Sequence, residues 1–350
     1  MNHLPLCQVH TAETRPDLWD ALKDENHPLN QAWPLFLDQD LSQQHFTPKL
    51  LQYRGLRKFQ FAVVELDQTG HEILVACARS VPFFWPELEE IRDGNVRELS
   101  AHPDILQSLP DGGWDTIISR GIRQYCFREN ISTISPIFTQ NQEQDSNICA
   151  TALYPNALSA LSITVREDRR MLGLAERLVE AMKQVAKEER LQVLVAPLRP
   201  TRKSEVAFER MEDYVRRIQI RDFLPKNTTT ALSVKFRYLP RHQHPSCGSS
   251  HNLPYDPWIR KHVRLGGRIT KIAPSSMVVQ GTFTEWQRWT GVDFHMVSQG
   301  TQGQELKLDL TCKRKYLEVA ILGGLVPVKV YVEEKMCSYI EPNVWLYHEI

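Results

Sequence analysis

What the sequence lacks narrows its class first. It carries no surplus of charge, with 42 Lys and Arg against 42 Asp and Glu, so no overall field draws it toward nucleic acid or a membrane surface. It has no paired cysteines: Cys7, Cys77, Cys126, Cys149, Cys247, Cys312 and Cys337 are scattered, without a Cys-x-x-Cys pair. That pattern argues against a disulfide framework and for a reducing, cytoplasmic setting. No apolar run is long enough to span a bilayer. The first residues show no basic start followed by an apolar stretch, so no secretory leader is expected. Internal repeats and low-complexity tracts are absent as well.

What remains is ordinary for a globular protein, with 42% hydrophobic and 24% charged residues. A chain of 350 residues exceeds the usual single domain, which leaves two domains or one heavily decorated domain, and decoration is preferred.

The chain is organised around residues 157 to 198. Ala157 to Val165 is an apolar strand, Arg166 to Arg170 a charged turn, and Leu191 to Leu198 a second apolar strand. Between them a helix places Leu174, Leu178, Met182, Val185 and Ala186 on one face. Within the turn, Arg170-x-x-Gly173-x-Ala175 sets small residues where the turn hands over to the helix. Backbone N–H groups there can approach a bound anion without side chains intervening, which makes the turn a phosphate seat.

Other elements follow from local chemistry. Residues 4 to 10 suit a first strand and 14 to 22 a short helix, with Thr14 as cap and Pro16 in the first turn. The spacing predicts a helix over 30–44, whose Trp33, Leu35, Phe36 and Leu37 suit a core. Phe59 to Leu66 and His71 to Ala78 form the clearest hairpin, and a helix runs from Gly113 to about Arg128, capped by Asp111. Trp85 and Trp114 suit packing or a pocket lining. Residues 204–220 read as a helix in a segment rich in Lys and Arg, which suits either a solvated face or a contact to an anionic ligand. Arg241 to His251 holds four potential zinc ligands, His242, His244, Cys247 and His251, without zinc-finger spacing. It reads as a polar loop, and no metal is expected. Asp256 caps a helix with Pro257 in its first position, and Gly266 ends it. Strands are expected to about Ala273 and over 276–283, a short helix near Trp286 and Trp289, a strand and helix within 305–319, and closing strands at 326–332 and 338–346.

The strand, turn, helix and strand of 157–198 resemble the acetyl-coenzyme-A-binding core of the GNAT superfamily of N-acetyltransferases. The resemblance implies an α/β fold with a mixed, mostly antiparallel sheet, splayed between strands four and five and flanked by helices. It implies that Arg170, Met171, Gly173, Leu174 and Ala175 hold the coenzyme pyrophosphate, and that Ile163 and Val165 border its pantetheine arm. Met171 stands where many members have a second glycine. On this reading residues 1–283 form the acyltransferase domain, with insertions at 85–147 and 199–254. Residues 284–350 form a C-terminal extension packed on the same domain, by default covering a sheet edge.

The helix ending at Gly266 resembles the fourth GNAT helix, whose end commonly reads Tyr-x-x-x-Gly-Phe, the tyrosine being the acid that protonates the departing thiolate. Here His262 stands at the tyrosine position and Gly267 replaces the phenylalanine. A histidine can donate that proton, and at its unperturbed pKa of about 6.5 it would make the rate pH-sensitive in the neutral range. A thioester is already activated, so orientation of the amine supplies much of the rate, up to roughly 7–11 kcal/mol. Strand four offers Ser162 and Thr164 rather than a carboxylate as base. Glu167, Asp168, Tyr255, Asp256 or an ordered water remain for that role, and His262, Glu167 and Tyr255 are the catalytic candidates.

The implied activity is transfer of an acetyl or other short acyl group from acyl-coenzyme A to the amine of a small-molecule acceptor, a reaction that suits specialised metabolism. Neither nucleic acid nor membrane is expected as partner, and a monomer or homodimer is. Three other readings remain open at this point: a non-catalytic acyl-coenzyme-A-binding module, a protein-lysine acetyltransferase, and a decarboxylase or S-acyltransferase acting on a carrier-bound acyl group.

Overall fold

Alternating apolar residues build a sheet whose two faces are both covered. In the computed structural model, which describes residues 7–67, 69–91, 96–131, 148–150, 153–219, 236–239, 253–299 and 306–350, ten strands form one sheet. They are β1 (Cys7–Thr11), β2 (Gln60–Leu66), β3 (Glu72–Phe83), β4 (Ala157–Val165), β5 (Val193–Leu198), β8 (Arg268–Thr282), β9 (Lys307–Asp309), β10 (Arg314–Val319), β11 (Val328–Tyr331) and β12 (Met336–Glu349). Their order is β1-β2-β3-β4-β5-β12-β11-β10-β9, with β8 also paired to β12. Every pairing is antiparallel except that of β4 with β5. The expected mixed, mostly antiparallel sheet is therefore present. A separate two-stranded ribbon joins β6 (Arg217–Gln219) to β7 (Phe236–Tyr238).

The helices among the described residues are α1 (Asp17–Asp20), α2 (Leu41–Gln52), α3 (Pro103–Gln107), α4 (Gly113–Arg128), α5 (Leu174–Glu188), α6 (Met211–Tyr214), α7 (Pro257–Arg264), α8 (Phe283–Thr290) and α9 (Phe294–Gln299). None is long and apolar enough to cross a membrane.

Successive strand residues point to opposite faces, and the core divides accordingly. On β5, Val193 and Val195 join a cluster with Phe36 and Phe46 near α2, Ile117 and Ile118 of α4 and Trp286 of α8. Leu194, Ala196 and Leu198 join the other, with Leu174, Leu178 and Met182 of α5 and Ile259 and Val263 of α7. On β12, Trp345 and Tyr347 go one way, Val344 and Leu346 the other. Burying each large apolar side chain contributes about 1.5–3 kcal/mol.

Several expected elements change shape. Residues 30–44 do not form one helix but two 3-10 turns, Asn30–Ala32 and Leu35–Gln39, followed by α2. Pro34 interrupts the first stretch, and Asp40 starts α2 by accepting from the Gln43 amide at 2.9 Å. Its second oxygen accepts from Val278 N at 3.0 Å, tying the cap to β8. The strands expected near Ala273 and over 276–283 are one strand, β8, and 305–319 holds β9 and β10 rather than a helix.

Residues 204–220 are not a helix either. A 3-10 turn, Lys203–Val206, precedes α6 and β6. The buried Lys203 ammonium donates to the carbonyls of Val206 at 3.0 Å and Leu325 at 2.7 Å. Arg217 turns inward over the Phe236 ring at 3.9 Å and pairs with Glu209 at 2.6 Å, while Arg202 pairs with Glu205 at 2.7 Å. Arg217 and Arg202 are thus neutralised where they stand, while Lys203 is held by carbonyls. Arg221, Lys226, Lys235 and Arg241 lie outside the described residues, as does the stretch from His242 to His251.

The last strand does not cover an edge. β12 enters the interior of the sheet beside β5, with Val344 opposite Leu198 and Glu349 opposite Val193.

Candidate active site

β4 and β5 run side by side only over Ala157–Ser159 and Val193–Val195. Beyond that they part. Pro197 has no N–H to offer β4, and the Leu161 carbonyl is taken instead by the Trp114 indole N–H at 3.0 Å. A buried backbone acceptor needs such a partner, so Trp114 helps to hold the gap open. Further along, the Trp33 indole N–H donates to the Thr164 hydroxyl at 3.0 Å.

At the mouth of the gap, Gly173 caps α5 with φ of 75°, the left-handed region that glycine enters without penalty. A Cβ placed there meets nothing within 4 Å, so the space before the first amides of the helix is open. Those amides lack intrahelical acceptors and favour an anion. Ile163, Val165, Arg170, Met171, Gly173, Leu174 and Ala175 all line one cavity at this point, together with Lys261. The residues present thus fit a diphosphate and an extended arm. Met171 also takes φ of 75°, at a cost of about 1–2 kcal/mol for a residue with a Cβ. Its side chain stands almost wholly in solvent, so the turn keeps a glycine-like path despite the missing glycine.

The cavity continues through the gap into a second one, the two sharing Trp33, Ile163, Arg199 and Trp258. His262 of α7 lines this inner cavity and is buried. Its Nδ1 lies 2.9 Å from Nε2 of His348 on β12, and the Trp258 ring packs edge-on to it at 4.4 Å. Burial, then the neighbouring His348 and Lys261, push the His262 imidazole well below its usual value. Burial, then Lys183, lower His348 to about 4, with a smaller opposing pull from the Leu265 backbone. Both rings are therefore neutral at physiological pH, and the expected neutral-range sensitivity of His262 moves to more acid pH.

A stability prediction follows from the lowered values. Unfolded histidine binds its proton near pH 6.5, while the folded rings resist it, so acid favours the unfolded chain. The stabilisation is complete above pH 6.5 and drains away as pH falls toward 4, by about 3 kcal/mol for His348 alone. Urea unfolding at pH 7, 5.5 and 4.5 measures it; equal unfolding free energies at all three would contradict the assignment.

The far end of the inner cavity carries charge. Glu341, fully buried beside a β12 irregularity, accepts from Arg199 Nε at 2.9 Å, from the Tyr339 hydroxyl at 2.6 Å and from Asn343 Nδ2 at 3.2 Å. Arg199 also donates to the Gly323 carbonyl. This carboxylate is fully engaged in structure. Asp38 is different. Its residue is exposed on the cavity wall, yet crowding by protein raises its carboxyl above the ordinary value, Arg79 pulling it part of the way back.

No family model matches the sequence. An arginine N-acetyltransferase of Aspergillus versicolor, avaD, is 30% identical over 347 residues, which is 99% of this chain and 95% of that protein. The chain belongs to the GNAT superfamily of N-acetyltransferases. It is an N-acyltransferase that uses an acyl-coenzyme A and an amine. Among solved structures, the loading GNATL domain of CurA from Lyngbya majuscula has a TM-score of 0.38 at 13% identity, over 77% of this chain and 88% of that one. A crystal structure of an acetyltransferase has a TM-score of 0.24 at 14% identity, over 54% and 79%.

In this GNAT protein the residues expected for the coenzyme meet on one wall, and His262 stands on the passage leading from them. Glu167 and Tyr255 do not line either cavity. Glu167 lies on the solvent side of the turn, 3.7 Å from Arg170. Tyr255 is buried in an aromatic cluster, 6.2 Å from Tyr214 and 5.1 Å from Phe236 between ring centres, with Arg202 over its face. Asp256 is spent on capping α7, accepting from Trp258 N at 2.9 Å, and on the Tyr214 hydroxyl. Asp168 binds Arg166 and Arg169. Of the tryptophans, Trp33 and Trp114 line the inner cavity and Trp85 is wholly in the core. Sequence reasoning missed Asp38, Arg79, Arg199, Glu341 and His348. No spacing marks them, since they are brought in from separate parts of the chain, Glu341 and His348 from β12 and the others from elsewhere. Among the described residues no group of three or more His, Cys, Asp or Glu is placed to hold a metal.

Proposed function

We propose that the protein transfers an acetyl group from acetyl-coenzyme A to an amine of a free basic amino acid, arginine being the first candidate. The observation that carries this reading is the continuous passage from the Gly173 seat, past His262, to a wall bearing Asp38 and Arg79. Glu341 and Arg199 cancel each other, so Asp38 is the carboxylate left to receive a cationic group, and Arg79 on the same cavity wall is the group to receive a carboxylate. A zwitterion with an added positive charge matches that pattern. The curated relative's name points to the same acceptor.

In this reading His262 uses the ring nitrogen that His348 leaves free. The amine nitrogen bonds to the thioester carbon, the carbon–sulfur bond breaks, and the proton lost by nitrogen ends on sulfur, with Nε2 of His262 handling it. Burial keeps the imidazole neutral, the state in which it can exchange a proton with either atom. Cys7, Cys77, Cys126, Cys312 and Cys337 are free thiols, which supports a reducing, cytoplasmic setting.

The test is thiol release from acetyl-coenzyme A with a panel of basic, neutral and acidic amino acids and peptide-borne lysine. Arginine and its close analogues should be turned over best. Asp38→Ala should raise KM for arginine by about 10- to 100-fold, the loss of one charge-assisted contact, with little effect on a neutral amine. Thermal stabilisation by coenzyme A without thiol release from any amine would instead mark a binding module, and equal turnover of neutral amines would remove the role of Asp38.

A further inference from the structure

We propose that His348 is a positioning residue for His262, fixing through its Nε2 the one ring orientation that turns Nε2 of His262 toward the cavity. The inference rests on the reading of His262 as the proton-handling group and adds a residue from the opposite end of the chain.

Four observations converge. The two nitrogens are 2.9 Å apart and both rings are buried, so the hydrogen bond is shielded from competing water. A flip of the His262 ring would set a carbon against Nε2 of His348 and lose that bond. The Trp258 ring, edge-on at 83°, packs against His262 from its own helix. Finally, Nδ1 of His348 makes no hydrogen bond of good geometry, the Leu265 backbone exerting only a weak pull on the ring. A buried polar atom left unpaired is costly, and an apolar side chain would fill the same place without that cost. What a histidine adds there is the bond to His262.

Gly267 completes the arrangement. A Cβ at this position would stand 2.9 Å from Cε1 of His348 and 2.8 Å from the His262 carbonyl oxygen. A side chain at 267 is thus excluded first by the His262 backbone carbonyl and then by the His348 ring. Glycine at 267 therefore lets the His348 ring of β12 lie close against this helix end. The charged groups facing the pair are Lys261 on α7, held by Glu176 of α5 at 2.8 Å, and Lys183 of α5.

Steady-state kinetics over pH 5 to 9 on His348→Ala, His348→Gln, Gly267→Ala and His262→Ala test the proposal. His348→Ala should lower kcat by at least about tenfold while KM for acetyl-coenzyme A stays within about twofold. The acid limb of its kcat profile should move up toward about 6.5 as water reaches the ring. His348→Gln, whose amide reaches the same point, should keep kcat within about threefold. Gly267→Ala, which crowds the His348 ring, should behave like His348→Ala. If His348→Ala binds coenzyme A normally and keeps both kcat and its acid limb, the proposal is overturned. Should His348→Ala not fold, wild-type kcat and acid limb in Gly267→Ala would overturn it equally. Loss of turnover in His262→Ala alone would then leave the parent reading standing, whereas full turnover in His262→Ala would remove both.

Discussion

Replacing His262 by alanine is expected to lower kcat by about 10²- to 10⁴-fold, the usual worth of a placed proton-transfer group, with KM for the acyl donor nearly unchanged. The ring lines the inner cavity but not the seat around Gly173, so its removal should spare coenzyme binding. What turnover remains would come from orientation, since a thioester and an amine held together need little further help. Stopped-flow measurement of thiol release under saturating donor separates the two effects. A variant that kept wild-type kcat would show that solvent or another group moves the proton, and the role of the α7 helix end would be lost.

The second large effect belongs to Gly173. Gly173→Val should weaken coenzyme A binding by at least about thirtyfold, the equivalent of one charge-assisted hydrogen bond of about 2 kcal/mol. Its Cβ would project into open space, the space a diphosphate must occupy to reach the α5 amides. Backbone strain acts in the same direction, because a β-branched residue at φ of 75° is disfavoured. Gly173→Asn separates the two causes. Asparagine accepts the left-handed region readily but still places a side chain in the seat, so it should fold as stably as wild type and bind poorly. Calorimetric titration with coenzyme A reads both variants; affinity preserved in Gly173→Asn would show that the seat lies elsewhere.

The turn and helix proposed to seat the coenzyme were legible because their determinants are contiguous. Strand β4 begins and ends where the apolar run does, α5 follows the glycine that caps it, and α7 is bounded by Asp256 and by Gly266 as read from the chain. Hydrogen bonding within a few residues decides each of these boundaries, and such interactions are written locally. Helix α4 was equally plain, although its expected cap, Asp111, pairs with Lys271 instead.

The misread segments share a different property. Residues 204–220 look helical in isolation, yet Lys203 and Arg217 are turned inward by the carbonyl of Leu325, far along the chain, and by the ring of Phe236. The stretch 30–44 is broken at Asp40 partly because Val278 donates to it. In both cases distant partners outweigh local preference, which is worth only a few tenths of a kcal/mol per residue.

By itself the sequence located the small-residue turn proposed as the phosphate seat, the parting strands' apolar character and the histidine at the end of α7, and their resemblance to the superfamily pointed to the acyl donor. Tertiary structure alone decided the acceptor side. Asp38 precedes α2, Arg79 belongs to β3 and Glu341 to β12, and they line one cavity while His348 of β12 reaches His262, because β12 lies beside β5 within the sheet. Turn and helix signals act between near neighbours, so they can be read along the chain. A cavity assembled by strand order cannot, because which strands adjoin is settled by burying both faces of the sheet at once.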